Sequence, residues 1–131
     1  MARATITVRI ERYAYPRGTT DYKVPATLVG DLAVHRPVFW HDGDTPHASG
    51  KGWTVTHHAT GLGLGTALGN SRPEDWTRAK LVQWAERLQQ AVPDFFTAIR
   101  EGGAVVDNAR AMALIPTVKA EGRRLAGELL S

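Results

Sequence analysis

Between Ala4 and Tyr13 apolar and polar residues alternate, with Ile6, Val8 and Ile10 on one side and Thr5, Thr7, Arg9 and Glu11 on the other. A two-residue period is that of a half-buried strand. Tyr15-Pro16-Arg17-Gly18 then places proline and glycine where a turn needs them. A second strand is expected over Asp21–Val29, with Pro25 confining it to an edge or breaking it, and Gly30-Asp31 turns the chain. Leu32–Trp40 is apolar enough for a third strand that bends at Pro37. His41–Gly52, rich in glycine, aspartate and proline, reads as a long loop. Beyond it, Trp53, Val55 and His57 share one strand face, while Thr54, Thr56 and His58 share the other. After a turn at Ala59-Thr60-Gly61, the residues Leu62, Leu64 and Thr66 alternate with Gly61, Gly63 and Gly65. One face of this return strand is bare, which permits close approach by a helix, a partner or a ligand.

The period changes after residue 70. Ser71-Arg72-Pro73-Glu74 has the form of a capping box with proline in the first turn. Leu81, Trp84, Ala85, Leu88, Ala91 and Val92 follow at helical spacing and predict a buried stripe that ends or kinks at Pro93. Asp94–Arg100 predicts a short helix presenting Phe95, Phe96 and Ile99, stopped by Gly102-Gly103. Asp107 can cap a last helix with the stripe Ala111, Leu114, Ile115, Val118, Gly122, Leu125 and Leu129, which Pro116 must kink or divide. The expected architecture is α+β in a single domain spanning 1–131. Four to five antiparallel strands come from 1–70, covered on one face by two to three helices from 71–131.

At 43% hydrophobic and 22% charged residues, the chain lies in the globular range and not the disordered one. The absence of cysteine excludes a disulfide framework and any thiolate metal site, and fits a reducing compartment. The N-terminal segment carries charge throughout and has no apolar run of signal-peptide type, and no stretch reaches the length of a membrane span. A cytoplasmic protein without membrane association is therefore expected. The pI of 9.6 arises from only three excess charges, so long-range attraction to nucleic acid is modest.

All five histidines fall between His35 and His58. Of these, His41, His47 and His57 are the candidate metal ligands, although the spacing matches no helical ligand pair and His57 and His58 should point to opposite sides of a strand. Gly61-Leu62-Gly63-Leu64-Gly65 lacks the spacing of a dinucleotide fingerprint, and no cofactor is expected. No nucleophile-base-acid arrangement can be assembled from the serines, so no catalytic residues are assigned. Among the tryptophans, Trp84 belongs to a core stripe, whereas Trp40 and Trp53 flank the long loop and could pair across it. Trp40, His41, Lys51, Trp53 and Trp76 form the candidate partner-binding set. Arg36, Lys51, Arg72, Arg78, Arg123 and Arg124 form the candidate nucleic-acid set, provided they share a face.

The run WTVTHHATG, with a glycine-rich return strand and a helix beyond it, resembles a hairpin-helix element of small phage and mobile-element proteins. More distantly, Leu32–Gln90 is similar to the sheet-plus-helix DNA-binding domains at the N-termini of some phage-type integrases. In those domains arginine and lysine on the sheet enter the major groove. Here the matching strands offer Thr54, Thr56, His58 and Thr66, with Arg36 and Lys51 the nearby cations. The absence of a catalytic constellation, the near-balanced charge, the long polar loop and the candidate aromatic anchors together lead to the expectation of a small non-enzymatic binding module docking on a larger protein assembly. The resemblance implies an accessory protein of a phage or mobile element. Nucleic-acid binding through a basic and aromatic face, and a metal-dependent enzyme using the histidine window, are the alternatives. The sheet edges and the apolar C-terminal stripe leave homodimerisation open.

Overall fold

The structure is a computed structural model describing residues 2–12, 15–40 and 45–131. The strands are β1 (Ala2–Glu11), β2 (Thr19–Val29), β3 (Leu32–His35), β4 (Val38–Phe39), β5 (His47–Ala48), β6 (Thr54–His57) and β7 (Leu62–Gly63). The helices are α1 (Arg78–Ala91), α2 (Pro93–Gly102) and α3 (Ala109–Leu130). Five strands form one curled antiparallel sheet in the order β1-β2-β3-β6-β7, and β4 pairs with β5 as a separate ribbon. The fold is α+β, as the change of hydrophobic period predicts. No described helix is long and apolar enough to cross a membrane.

Alternation sets which residues of each strand are buried. Ile6 and Val8 are buried and Ile10 half-buried, while Arg3, Thr5, Thr7, Arg9 and Glu11 are exposed. The pairing of Thr5 with Pro25 and of Ala26 with His35 locates the proline just beyond the stretch that β3 covers. There β2 has a neighbour on one side only, so a missing N–H is tolerated. All four residues of β3 are buried, because both faces of this strand are covered. Leu32 and Val34 meet the helices in the main core, and Ala33 belongs to a smaller core inside the curl with Ile6, Val8, Val24 and Ala26.

Several local expectations are corrected. The loop at 41–52 is not structureless: its His47–Ala48 segment pairs with β4, which itself separates from β3 at Arg36-Pro37. The return strand is only two residues long and leads into a 3₁₀ turn at Gly65–Leu68. Nothing lies within 4 Å of a Cβ built on Gly61, Gly63 or Gly65. Instead of admitting a helix, Gly61 and Gly63 border a hollow of about 360 Å³ on the inner side of the curl, with Val8, Ile10, His35 and Thr56. Helix α1 starts at Arg78, and its cap is Thr77, whose side chain accepts from the Lys80 N–H. The Ser71 hydroxyl instead donates to the Leu68 carbonyl at 2.6 Å and accepts from the Trp76 indole. Asn108, not Asp107, caps α3: it accepts from the Ala111 N–H and donates to the Ala98 carbonyl of α2. Helix α3 is undivided at Pro116, which lies on its exposed side, where an unpaired carbonyl can turn to water.

The helices are tied to the sheet and to one another by a few polar contacts inside apolar surroundings. Gln89 on α1 accepts from the Asp31 N–H and donates to the Val29 carbonyl, gripping the β2–β3 turn. Arg100 on α2 reaches Asp31 of that turn at 3.0 Å. The indole of Trp84, fully buried, donates to the Gly122 carbonyl of α3 at 2.8 Å. A side chain at Gly122 would overlap the Ala67 carbonyl, so α3 can approach the 3₁₀ turn only with glycine there. Gly122→Ala should therefore destabilise the fold by roughly 1–3 kcal/mol, the cost of overpacking. Gly127→Ala, on the same helix but facing open space, should stabilise it by roughly 0.5–1 kcal/mol. Urea melts of the two variants measure the difference, and equal effects would contradict this packing.

Candidate functional site

The β3–β6 register pairs His35 with Thr54, so Arg36 and Trp53 meet one step beyond the end of the ladder. Parity puts both on the helix-side face with Val34 and Val55. The Arg36 guanidinium carbon sits 3.9 Å from the Trp53 ring centre, and its Nη1 donates to the Gly52 carbonyl at 3.1 Å. Arg78, the first residue of α1, places its guanidinium 5.9 Å from the same ring centre. Stacking of this kind suits arginine, whose planar cation interacts with an aromatic face while keeping its edge donors available.

The segment leading into α1 holds this arrangement in place. The Trp53 N–H donates to the Pro73 carbonyl at 3.0 Å, and the Arg72 N–H donates to Asp75 at 2.8 Å. Gly52 has φ +80°, and a Cβ there would strike the Pro73 backbone, so the contact requires glycine. Around Trp53 lies an open groove of about 420 Å³ bordered by Arg3, Pro25, Val34, Arg36 and Arg78. Arg9, Arg87, Arg100, Arg110 and Arg124 each pair with a carboxylate. Among the described residues, Arg12, Arg17, Arg72 and Arg123 form no ion pair, and neither do Arg3, Arg36 and Arg78, the three that line the groove. Three unpaired guanidiniums thus share one groove although the chain's net charge is small.

The two candidate sets are only partly assembled. Trp53 is half-buried in the groove, and exposed Lys51 adjoins Gly52 in sequence. Trp40 does not pair with Trp53, because β4 bonds to β5 and not to β6; its ring lies 5.6 Å from the Arg12 guanidinium. Trp76 is 3% exposed, its indole N–H bonded to Ser71, and it belongs to the core. His41 falls outside the described residues. Of the six cations in the nucleic-acid set, Arg36 and Arg78 share the groove, and Arg72 adjoins the Pro73 turn that binds Trp53. Arg123 borders a separate hollow with Gly69 and Ser71, and Arg124 is held by Glu121 and Glu128. Arg3, which lines the same groove, is absent from the sequence-based set: it lies on β1 one residue before the predicted start of that strand, and nothing in the sequence signals its proximity to Trp53.

The described histidines do not converge. His47 is exposed on β5 beside Phe39, whereas His57 is buried against Phe96 with Nδ1 2.8 Å from the Thr60 hydroxyl. No three metal-ligating side chains come together among the described residues. Nor do His57 and His58 point to opposite sides: β6 ends at His57, the chain turns, and the two rings lie nearly parallel at 6.4 Å. His35 is also buried, with Nδ1 donating to the Arg36 carbonyl at 2.7 Å and Nε2 2.8 Å from the Thr56 hydroxyl. Since a carbonyl only accepts, neutral His35 carries its proton on Nδ1 and accepts at Nε2 from Thr56.

Comparison of the chain with protein-family models, with curated protein sequences and with solved structures finds no match.

Burial pushes the His35 imidazole below its usual 6.5, against the opposing effect of the Arg36 carbonyl. Burial also lowers His57; Asp31 opposes this shift, while His58 and Arg100 add to it. Both pKa values are depressed in the folded state, so the unfolded chain binds more protons as the pH falls below 6.5. The stability these neutral rings retain above that value is lost progressively below it. Thermal melts from about pH 7.5 to about pH 5 should show a falling Tm. The fall should be shallower in His57→Phe, which keeps a ring against Phe96; an unchanged slope in that variant would remove His57 from the account.

Proposed function

We propose that the chain is a non-enzymatic binding module that docks on a larger protein assembly through the groove around Trp53. The observation that carries this reading is the stack of Arg36 and Arg78 on Trp53, with Arg3 nearby and no described carboxylate paired with any of the three. Tryptophan and arginine are the residues that most often dominate binding energy at protein interfaces. A guanidinium stays protonated across the physiological range, which suits recognition and not proton transfer. The titratable imidazoles of His35 and His57, by contrast, are buried among structural contacts. An accessory role in a phage or mobile element is the setting that the resemblance of Trp53–Gly61 implies.

A second reading, nucleic-acid binding, is favoured by the same unpaired guanidiniums. It requires affinity that falls with salt in proportion to the phosphates neutralised, at about 0.7 per phosphate for a single strand in logarithmic terms. Titration of labelled single- and double-stranded oligonucleotides across a salt series tests it, and absence of binding at low salt removes it.

For the docking reading, a photo-crosslinking residue at Thr27, which borders the groove, should capture a discrete partner from host lysate. Trp53→Ala should reduce that capture by at least about thirtyfold, the size of an interface hot spot. Arg78→Ala, at an exposed position outside the core, should weaken it without altering the melting transition. Undiminished capture by a folded Trp53→Ala protein would overturn the assignment.

A further inference from the structure

We infer that the groove recognises an acidic, extended segment of a protein partner, with carboxylates on alternate residues. This rests on the reading of the Trp53 groove as the docking site and names what the partner must present. At 3.9 and 5.9 Å from one ring centre, the Arg36 and Arg78 guanidiniums are at most 9.8 Å apart. Carboxylates on alternate residues of an extended chain stand about 7 Å apart and can reach one guanidinium each. Arg36 has only its Nη1 engaged, by the Gly52 carbonyl, so other donors of its fork are open to a carboxylate. Its stacking on Trp53 fixes the plane of that fork before any ligand arrives. Exposed Pro25 lines the same groove, where the methylene groups of those acidic side chains can pack.

A nucleic-acid strand fits less well. The Trp53 ring already carries Arg36 at stacking distance, so it is not a vacant platform for a base. A polyanion would also run beyond the groove, where Glu74 lies exposed on the turn that touches Trp53.

The test uses the full chain and three fluorescein-labelled probes measured by anisotropy. One is a peptide of about ten residues with glutamate alternating with leucine and threonine. The second replaces every glutamate by glutamine, and the third is an oligothymidylate of comparable length. The glutamate peptide should bind at least about tenfold more tightly than either of the others, and this preference should shrink as salt rises. Arg3→Gln with Arg78→Gln, two exposed and unpaired positions, should lower its affinity at least about tenfold in a protein that melts normally. Equal binding of the glutamine peptide, tighter binding of the oligothymidylate, or an affinity unchanged by the two arginine substitutions would each overturn the inference. If the Thr27 crosslink is Trp53-dependent but the glutamate peptide does not bind, the acidic segment is refuted while the docking groove stands. If neither occurs, both fall.

Discussion

The hydrogen bond from the Trp84 indole to the Gly122 carbonyl is the point on which the two halves of the chain depend. Helix α1 lies between the sheet and α3, and Trp84 is the largest side chain wholly removed from water at that junction. Burying an indole is favourable only if its N–H finds an acceptor, and a helical carbonyl beside a residue without a side chain is accessible to it. Gly122 therefore serves two needs: it exposes the acceptor and lets α3 settle on the Gly65–Leu68 turn. From this junction α1 extends back over β3, where Gln89 fixes the β2–β3 turn. Its first residue, Arg78, is thereby brought over Trp53.

Much of this architecture was legible in periodicities. The alternation of Ile6, Val8 and Ile10, the helical stripes through Trp84 and Leu125, and the stop at Gly103 each reflect a local pattern that burial enforces. The features that were not legible are governed by contacts distant in sequence. Ser71 resembles a helix cap, yet its hydroxyl is claimed by Leu68 and Trp76, and the cap falls to Thr77. Leu62–Thr66 alternates like a strand, but the ladder with β6 covers only Leu62 and Gly63, and after one further bond from Leu64 to the Val55 carbonyl the chain turns. His47-Ala48 carries no strand signal, because its pairing depends on where Pro37 sends β4.

The groove divides in the same way. Trp53 could be singled out from composition and from its place after a long loop, and Arg36 and Arg78 as cations near it. That both guanidiniums lie over the Trp53 ring follows from the pairing of His35 with Thr54 and from the bond between Trp53 and Pro73, neither of which leaves a trace in the sequence. Trp40 and Trp53 looked like a matched pair for the converse reason: proximity along the chain is a poor guide where a ribbon intervenes. Arg3 sits some fifty residues from Trp53, and only the order of the strands brings it to the groove.

The sheet's two unequal cores bear on how the groove meets its ligand. Arg36, Trp53 and Arg78 are mounted on the part of the molecule that shares the large core with the helices, whereas Arg3 rides on the β1–β2 hairpin, whose inner face rests on the smaller cluster around Val8 and Val24. Regions with fewer buried contacts open locally at lower free-energy cost than the body they adjoin. For the docking proposed at this groove, one bank would thus be preset and cost little ordering entropy, while the opposite bank could adjust its distance. A surface built this way would clamp: Arg36 on Trp53 would fix where an anion first lands, and the hairpin would accommodate segments of different width.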